Sequence, residues 1–148
     1  MAVRVQTETF DPGRELTEFS QFSNAGAVVT FTGIVRDVAA GLDYMEIEHY
    51  PAMTQKALEA IENDAVRKWD LSASLIIHRF GKLEPGETIM MVATAAEHRH
   101  AAFEAAQYLM DYLKSRAPFW KKEHSRDGEN WVDAKSSDEE MLERWQDE

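Results

Sequence analysis

"EHRHAAFEAAQYLMDYLKSRAPFWKKEH", residues 97–124, carries the reading of the whole chain. From His98 to Arg116 apolar residues return at helical spacing, with Phe103, Ala106, Met110 and Leu113 as the expected stripe. Pro118 ends that helix. Beyond it the period falls to two, with Phe119, Lys121 and Glu123 on one strand face and Trp120 and Lys122 on the other. "FWKKEH" and "NWVDAK" are spaced to pair as a hairpin across "SRDGE".

Upstream the same two periods alternate. "VRVQTETF" reads as a strand, and "DPG" at residues 11–13 as a helix start. "AGAVVTFTGIVRD", residues 25–37, is rich in β-branched residues and reads as a buried strand. "VAAGLD" reads as a loop and "YMEIEHY" as an alternating strand. From Pro51 to Trp69, Ala57, Leu58, Ile61, Ala65 and Trp69 share one helical face. "SASLIIHRF" and "TIMMVATAA" are strands around the turn "GKLEPGE". The last residues, "SSDEEMLERWQDE", are acidic, and Ser136 with Glu139, or Ser137 with Glu140, fits the capping box of a short helix. Strands interrupted by two long helices predict an α+β sandwich in one domain over residues 1–148, with an acidic tail from about 136.

The composition narrows the partners. A formal net charge of −11 repels phosphate backbones, so nucleic acid is a poor expectation. Any anion has to be held by a local cluster of cations. There is no cysteine, which excludes a disulfide, a thiolate metal site, a cysteine nucleophile and a persulfide carried on this chain. "MAVRVQTETFDPG" has no apolar run of signal-peptide or membrane length, and cytoplasmic residence is the plain expectation.

Within the acidic chain, Lys114, Arg116, Lys121 and Lys122 gather among Tyr112, Phe119 and Trp120. Lys114 and Arg116 also suit the end of a helix dipole, and Lys121 and Lys122 also suit a solvated strand. Alternation lets one of the adjacent lysines join Lys114 in a pocket and leaves open which. At the helix start, "EHRH" lacks the i, i+4 spacing of a metal-binding pair. His98 and Arg99 there fit an anion better, because free backbone N–H groups add to their charge. In "FTGIVRD" Arg36 stands at a strand end where a guanidinium can meet a phosphate or carboxylate, or form an ordinary salt bridge. His49 and His78 fall in strand patterns and are expected to be structural.

His98 and Lys114 sit at opposite ends of one helix, about 24 Å apart at 1.5 Å per residue. They serve different sites, or two copies of the chain bring one helix start to the other's helix end.

Taken together, "VVTFTGIVRD", "EIEHYPAMTQKALEAI", "IIHRFGKLEPGE", the stretch from Glu97 to Glu123 and "WVDAKSSD" resemble the large, catalytic subunit of molybdopterin synthase, from about Ala25 to Asp138. The resemblance implies an α/β-hammerhead-type α+β domain that forms a homodimer. It implies a small ubiquitin-like sulfur-carrier subunit on each copy, giving a heterotetramer. The carrier's C-terminal Gly-Gly thiocarboxylate would thread into a pocket and give sulfur to cyclic pyranopterin monophosphate, forming the dithiolene of molybdopterin. No metal and no cofactor is implied. By resemblance, Lys114 of "DYLK" is the essential lysine, Lys121 of "FWK" the second, Arg36 the arginine of "TGxVR", and His98 and Arg99 the "HR" pair. Ile34, Val35, Lys121, Lys122 and Glu123 would line the same pocket. Some relatives carry Arg at Lys135 or Lys122, which keeps the charge and changes the fork geometry.

The chemistry agrees with those residue types. A cyclic phosphate and a thiocarboxylate are both anions, and bringing them together needs cations in a partly dry pocket. The competing expectations are a noncatalytic dimeric module that senses an anion or nucleotide, and a scaffold whose acidic tail meets a basic partner.

Overall fold

The computed structural model describes residues 2–38, 41–132 and 136–146, with backbone only at 136–138, 144 and 146. Its elements are β1 (Ala2–Gln6), α1 (Pro12–Phe22), β2 (Ala27–Ile34), β3 (Leu42–His49), α2 (Pro51–Trp69), β4 (Ala73–Arg79), β5 (Gly81–Leu83), β6 (Thr88–Ala96), α3 (Arg99–Arg116), β7 (Phe119–Ser125), β8 (Gly128–Trp131) and α4 (Ser136–Gln146). They form two four-stranded sheets, ordered β1-β4-β6-β2 and β5-β3-β7-β8. The first is mixed, because β1 runs parallel to β4 while β4, β6 and β2 alternate in direction. The second is antiparallel. The α+β expectation holds.

Strand alternation decides what each sheet face meets. On β4 and β6, Leu75, Ile77, Met91 and Ala93 point to a small core closed by Phe10 and by Phe19 of α1. Asp11 starts α1 by accepting hydrogen bonds from the Gly13 and Arg14 backbone amides. The other face supplies Ile76 and Val92 to the larger core, packed with Leu58, Ile61 and Ala65 of α2 and Ala102, Ala105, Leu109 and Leu113 of α3. The apolar face expected for α2 is therefore the one that packs.

The stripe expected on α3 needs correction. Phe103 is 61% exposed, and the buried line runs through the alanines instead. Small residues let α3 lie close against β6, where the Thr94 hydroxyl donates to the Ala102 carbonyl at 2.7 Å. The loop expected at residues 38–43 is shorter, since β3 already begins at Leu42; Ala39 and Ala40 lie outside the described residues. Likewise "GKL" is not all turn: its three residues form β5 and pair with β3.

The hairpin expectation holds for β7 and β8, which pair from Ser125↔Gly128 to Lys122↔Trp131. Asp133, Ala134 and Lys135 of the expected second strand are outside the described residues, as are the serine side chains of the expected capping box. The tail helix is not a loose appendage. In α4, Leu142 and Trp145 are buried, and the Trp145 indole N–H donates to Asp111 at 2.6 Å. Trp145 also meets Trp69 and Tyr108 edge-on, and Arg116 bridges to Glu139 at 2.8 Å.

One glycine fixes where β2 enters the sheet. A Cβ on Gly26 would lie 2.3 Å from the Glu97 carbonyl oxygen, a backbone atom that cannot rotate away. Gly26→Ala should cost about 1–3 kcal/mol through overpacking, measured as a lower urea midpoint at unchanged slope.

Candidate active site

A cavity of about 610 Å³ opens between β2, β7 and the end of α3. Three local rules aim side chains into it. On α3, Met110, Leu113 and Lys114 recur at helical spacing and present one wall, with Ala117 just past the helix end. On β7, Phe119, Lys121 and Glu123 alternate onto the cavity face. On β2, the pairing with β6 slips between Gly33 and Ile34, so that Ile34 stands opposite Thr88. The bulge re-aims the strand end. Ile34 is then 58% exposed and Val35 only 2%, and Arg36 turns outward again.

Ile34, Arg36, Lys114, Lys121 and Glu123 thus meet at one cavity. Val35 lies in the hydrophobic core, one pleat away from it. Lys122 points to the opposite face of its sheet. Its ammonium is 2.8 Å from Glu129 and sits over the Trp131 ring at 5.1 Å. The hydrogen bond to Glu129 is the main reason its pKa is raised. So Lys121 is the one of the adjacent pair that joins Lys114, the question that periodicity left open.

His98 and Arg99 are not part of this cavity within one chain. His98 is the exposed cap residue of α3 and Arg99 its first helical residue, with Lys114 in the last turn. Both lie at the far end of the helix, as the sequence spacing required. Among the described residues no group of three or more His, Asp or Glu side chains is placed to hold a metal ion. Among the described residues no helix is long and apolar enough to cross a membrane.

His78, expected to be structural, is buried and also lines the cavity floor. Its ring stacks on Phe119, with centroids 3.8 Å apart and planes 15° apart. Burial pulls its pKa down to about 3, and Lys121 and Lys114 push the same way. A histidine in an apolar strand pattern does not by itself show that its face borders a cavity. The alternation Leu75, Ile77 against Ile76, His78 was the available signal.

The scaffold is α+β, and its cavity gathers Arg36, Lys114 and Lys121 in an otherwise acidic chain, walled by Phe31, Ile34, Met110 and Phe119, a lining whose chemistry suits an anion. The comparisons give the family. The family described as "MoaE protein" matches residues 5–116, and the chain belongs to it. The molybdopterin synthase catalytic subunit of Cereibacter sphaeroides is 57% identical over 146 residues, 98% of this chain and 100% of that protein. The protein of the same name from Pseudomonas aeruginosa is 50% identical over 149 residues, 99% of each. Among solved structures, a molybdopterin biosynthesis MoaE protein from Burkholderia ambifaria superposes with a TM-score of 0.83 at 48% identity, covering 98% of both chains. A molybdopterin synthase from Staphylococcus aureus superposes at 0.80 with 32% identity, covering 88% of this chain and 96% of that one.

Proposed function

We propose that this chain is the catalytic subunit of a molybdopterin synthase, a sulfurtransferase of the cytoplasm acting as a single domain. The observation that carries the reading is the convergence of Arg36, Lys114 and Lys121 on one cavity in a chain of net charge −11. Close relatives that bear the synthase name over their full length support it.

In this reading a small ubiquitin-like carrier inserts its C-terminal Gly-Gly thiocarboxylate between Phe31, Ile34 and Phe119, apolar walls that suit glycine backbone. Cyclic pyranopterin monophosphate occupies the rest of the cavity. Arg36 pairs with phosphate through its fork of N–H donors. Lys114 and Lys121 neutralise the thiocarboxylate and hold charge as its sulfur bonds to a side-chain carbon of the pterin and an oxygen leaves that carbon, as the opened phosphate ester in one transfer and as water from the hydrated carbonyl carbon in the other. Water then cleaves the resulting acyl–sulfur link, leaving sulfur on the pterin and a carboxylate on the carrier. A second carrier repeats the step.

His98 and Arg99 enter from a second copy, since about 24 Å of helix separates them from Lys114 in one chain. A symmetric dimer with shared sites satisfies that distance twice. Each copy carries one carrier, which makes a heterotetramer.

The test is reconstitution. The purified chain, mixed with thiocarboxylated carrier and cyclic pyranopterin monophosphate, should form the dithiolene, with two carriers consumed per product. Binding of the pterin without any turnover would instead favour an anion-sensing module.

A further inference from the structure

The cavity floor holds a group that the proposed chemistry does not yet use. His78 is 6% exposed, on β4, facing the same side as Ile76. Its Nδ1 lies 2.8 Å from the Arg79 carbonyl oxygen. A carbonyl only accepts, so Nδ1 carries the proton and Nε2 keeps its lone pair. The flat stack on Phe119 fixes the ring plane, and no group among the described residues is hydrogen-bonded to Nε2.

The ring stays uncharged. Burial is the main cause, and the groups that face it from α3, β7 and β3, namely Lys114, Lys121 and His49, all oppose a proton on it. That matters in a site built for anions. A second carboxylate at the floor, beside the Glu123 already lining the cavity, would pair with the lysines and weaken their hold on phosphate and thiocarboxylate. A neutral imidazole accepts a hydrogen bond and leaves the cations in force.

We infer that His78 is a substrate-recognition residue, whose Nε2 accepts a hydrogen bond from a ring N–H or amino group of a heteroaromatic substrate of the pterin type. Arg36, Lys114 and Lys121 only donate, and they read the charged parts of the ligands. His78 reads the uncharged ring edge. The assignment rests on the substrate class of the proposed function.

The test uses His78→Phe, which keeps the stack and removes the acceptor, and His78→Gln, which keeps an amide oxygen within reach of the Nε2 position. Should the phenylalanine variant fail to fold, His78→Asn takes its place, with an amide that bonds the Arg79 carbonyl and falls short of the ligand. Calorimetric titration with cyclic pyranopterin monophosphate should show affinity about tenfold weaker for His78→Phe or His78→Asn, and within about threefold of wild type for His78→Gln. In the reconstituted synthase KM for the pterin should rise by the same factor while kcat stays within about twofold. Affinity for inorganic phosphate, the control probe, should not change. Unchanged pterin affinity in the acceptor-less variant overturns the inference alone, as does an equal loss for phosphate and pterin. A wild-type protein that binds no pterin overturns the proposed function and this inference with it.

Discussion

Lys114→Ala should leave a folded protein that still binds the carrier and forms molybdopterin on the order of 10²–10³ times more slowly. Lys114 is an exposed residue in the last turn of α3, outside the hydrophobic core, so truncation should move stability by no more than about 0.5 kcal/mol. Its ammonium lines the cavity, and in the proposed mechanism it holds the negative charge of the attacking sulfur. The effect should fall on kcat, because the charge is needed most when sulfur begins to bond to carbon. Lys122→Ala is the control. That lysine is one position from Lys121 in sequence, yet it is committed to Glu129 on the other sheet face, and its loss should change turnover less than about twofold. Equal rates for Lys114→Ala and wild type would remove Lys114 from the mechanism.

Acid should weaken the fold in a window set by His78. Its pKa is about 6.5 when unfolded and about 3 when folded. A depressed pKa means the unfolded chain takes up the proton first, so the contribution is complete above pH 6.5 and is lost as pH falls toward 3. The full swing is roughly 4–5 kcal/mol, and about 2–3 kcal/mol of it is spent by pH 4.5. That is a large share of the ~5–15 kcal/mol that holds a typical domain folded. His49, also lowered by burial, acts in the same direction. Glu62 opposes both, because burial raises its pKa and protonation then favours the folded state. The variant comparison separates them. Urea unfolding at pH 7, 5.5 and 4.5 should show stability falling with pH in wild type and clearly less steeply in His78→Gln. Parallel curves would contradict the assignment.

Much of this site was legible because periodicity is a local property. Alternation on β7 already grouped Lys121 with Phe119 and Glu123 and set Lys122 apart. The helical spacing of α3 already separated His98 from Lys114. What stayed hidden depended on neighbours distant in sequence. Nothing near Gly33 announces the slip against β6 that turns Ile34 and Arg36 outward and Val35 inward. Phe103 looked like core because it is large and correctly spaced, but α3 packs through alanines that admit a closer approach. The acidic tail looked like a separate interaction segment by charge alone. Its Leu142 and Trp145 are buried against α3, a role that two apolar residues in a charged run do not declare.

The central claim is that cations from two copies of the chain act over one cavity. Subunit mixing measures it most directly. Lys114→Ala and Arg99→Ala are each expected to be nearly inactive as pure proteins. After dissociation and reassociation of an equal mixture, half the dimers contain one of each, and in each such dimer one of the two sites has both residues intact. Activity should return to about a quarter of the wild-type rate. A mixture that stays as inactive as its components would mean that Arg99 and Lys114 do not meet across a dimer.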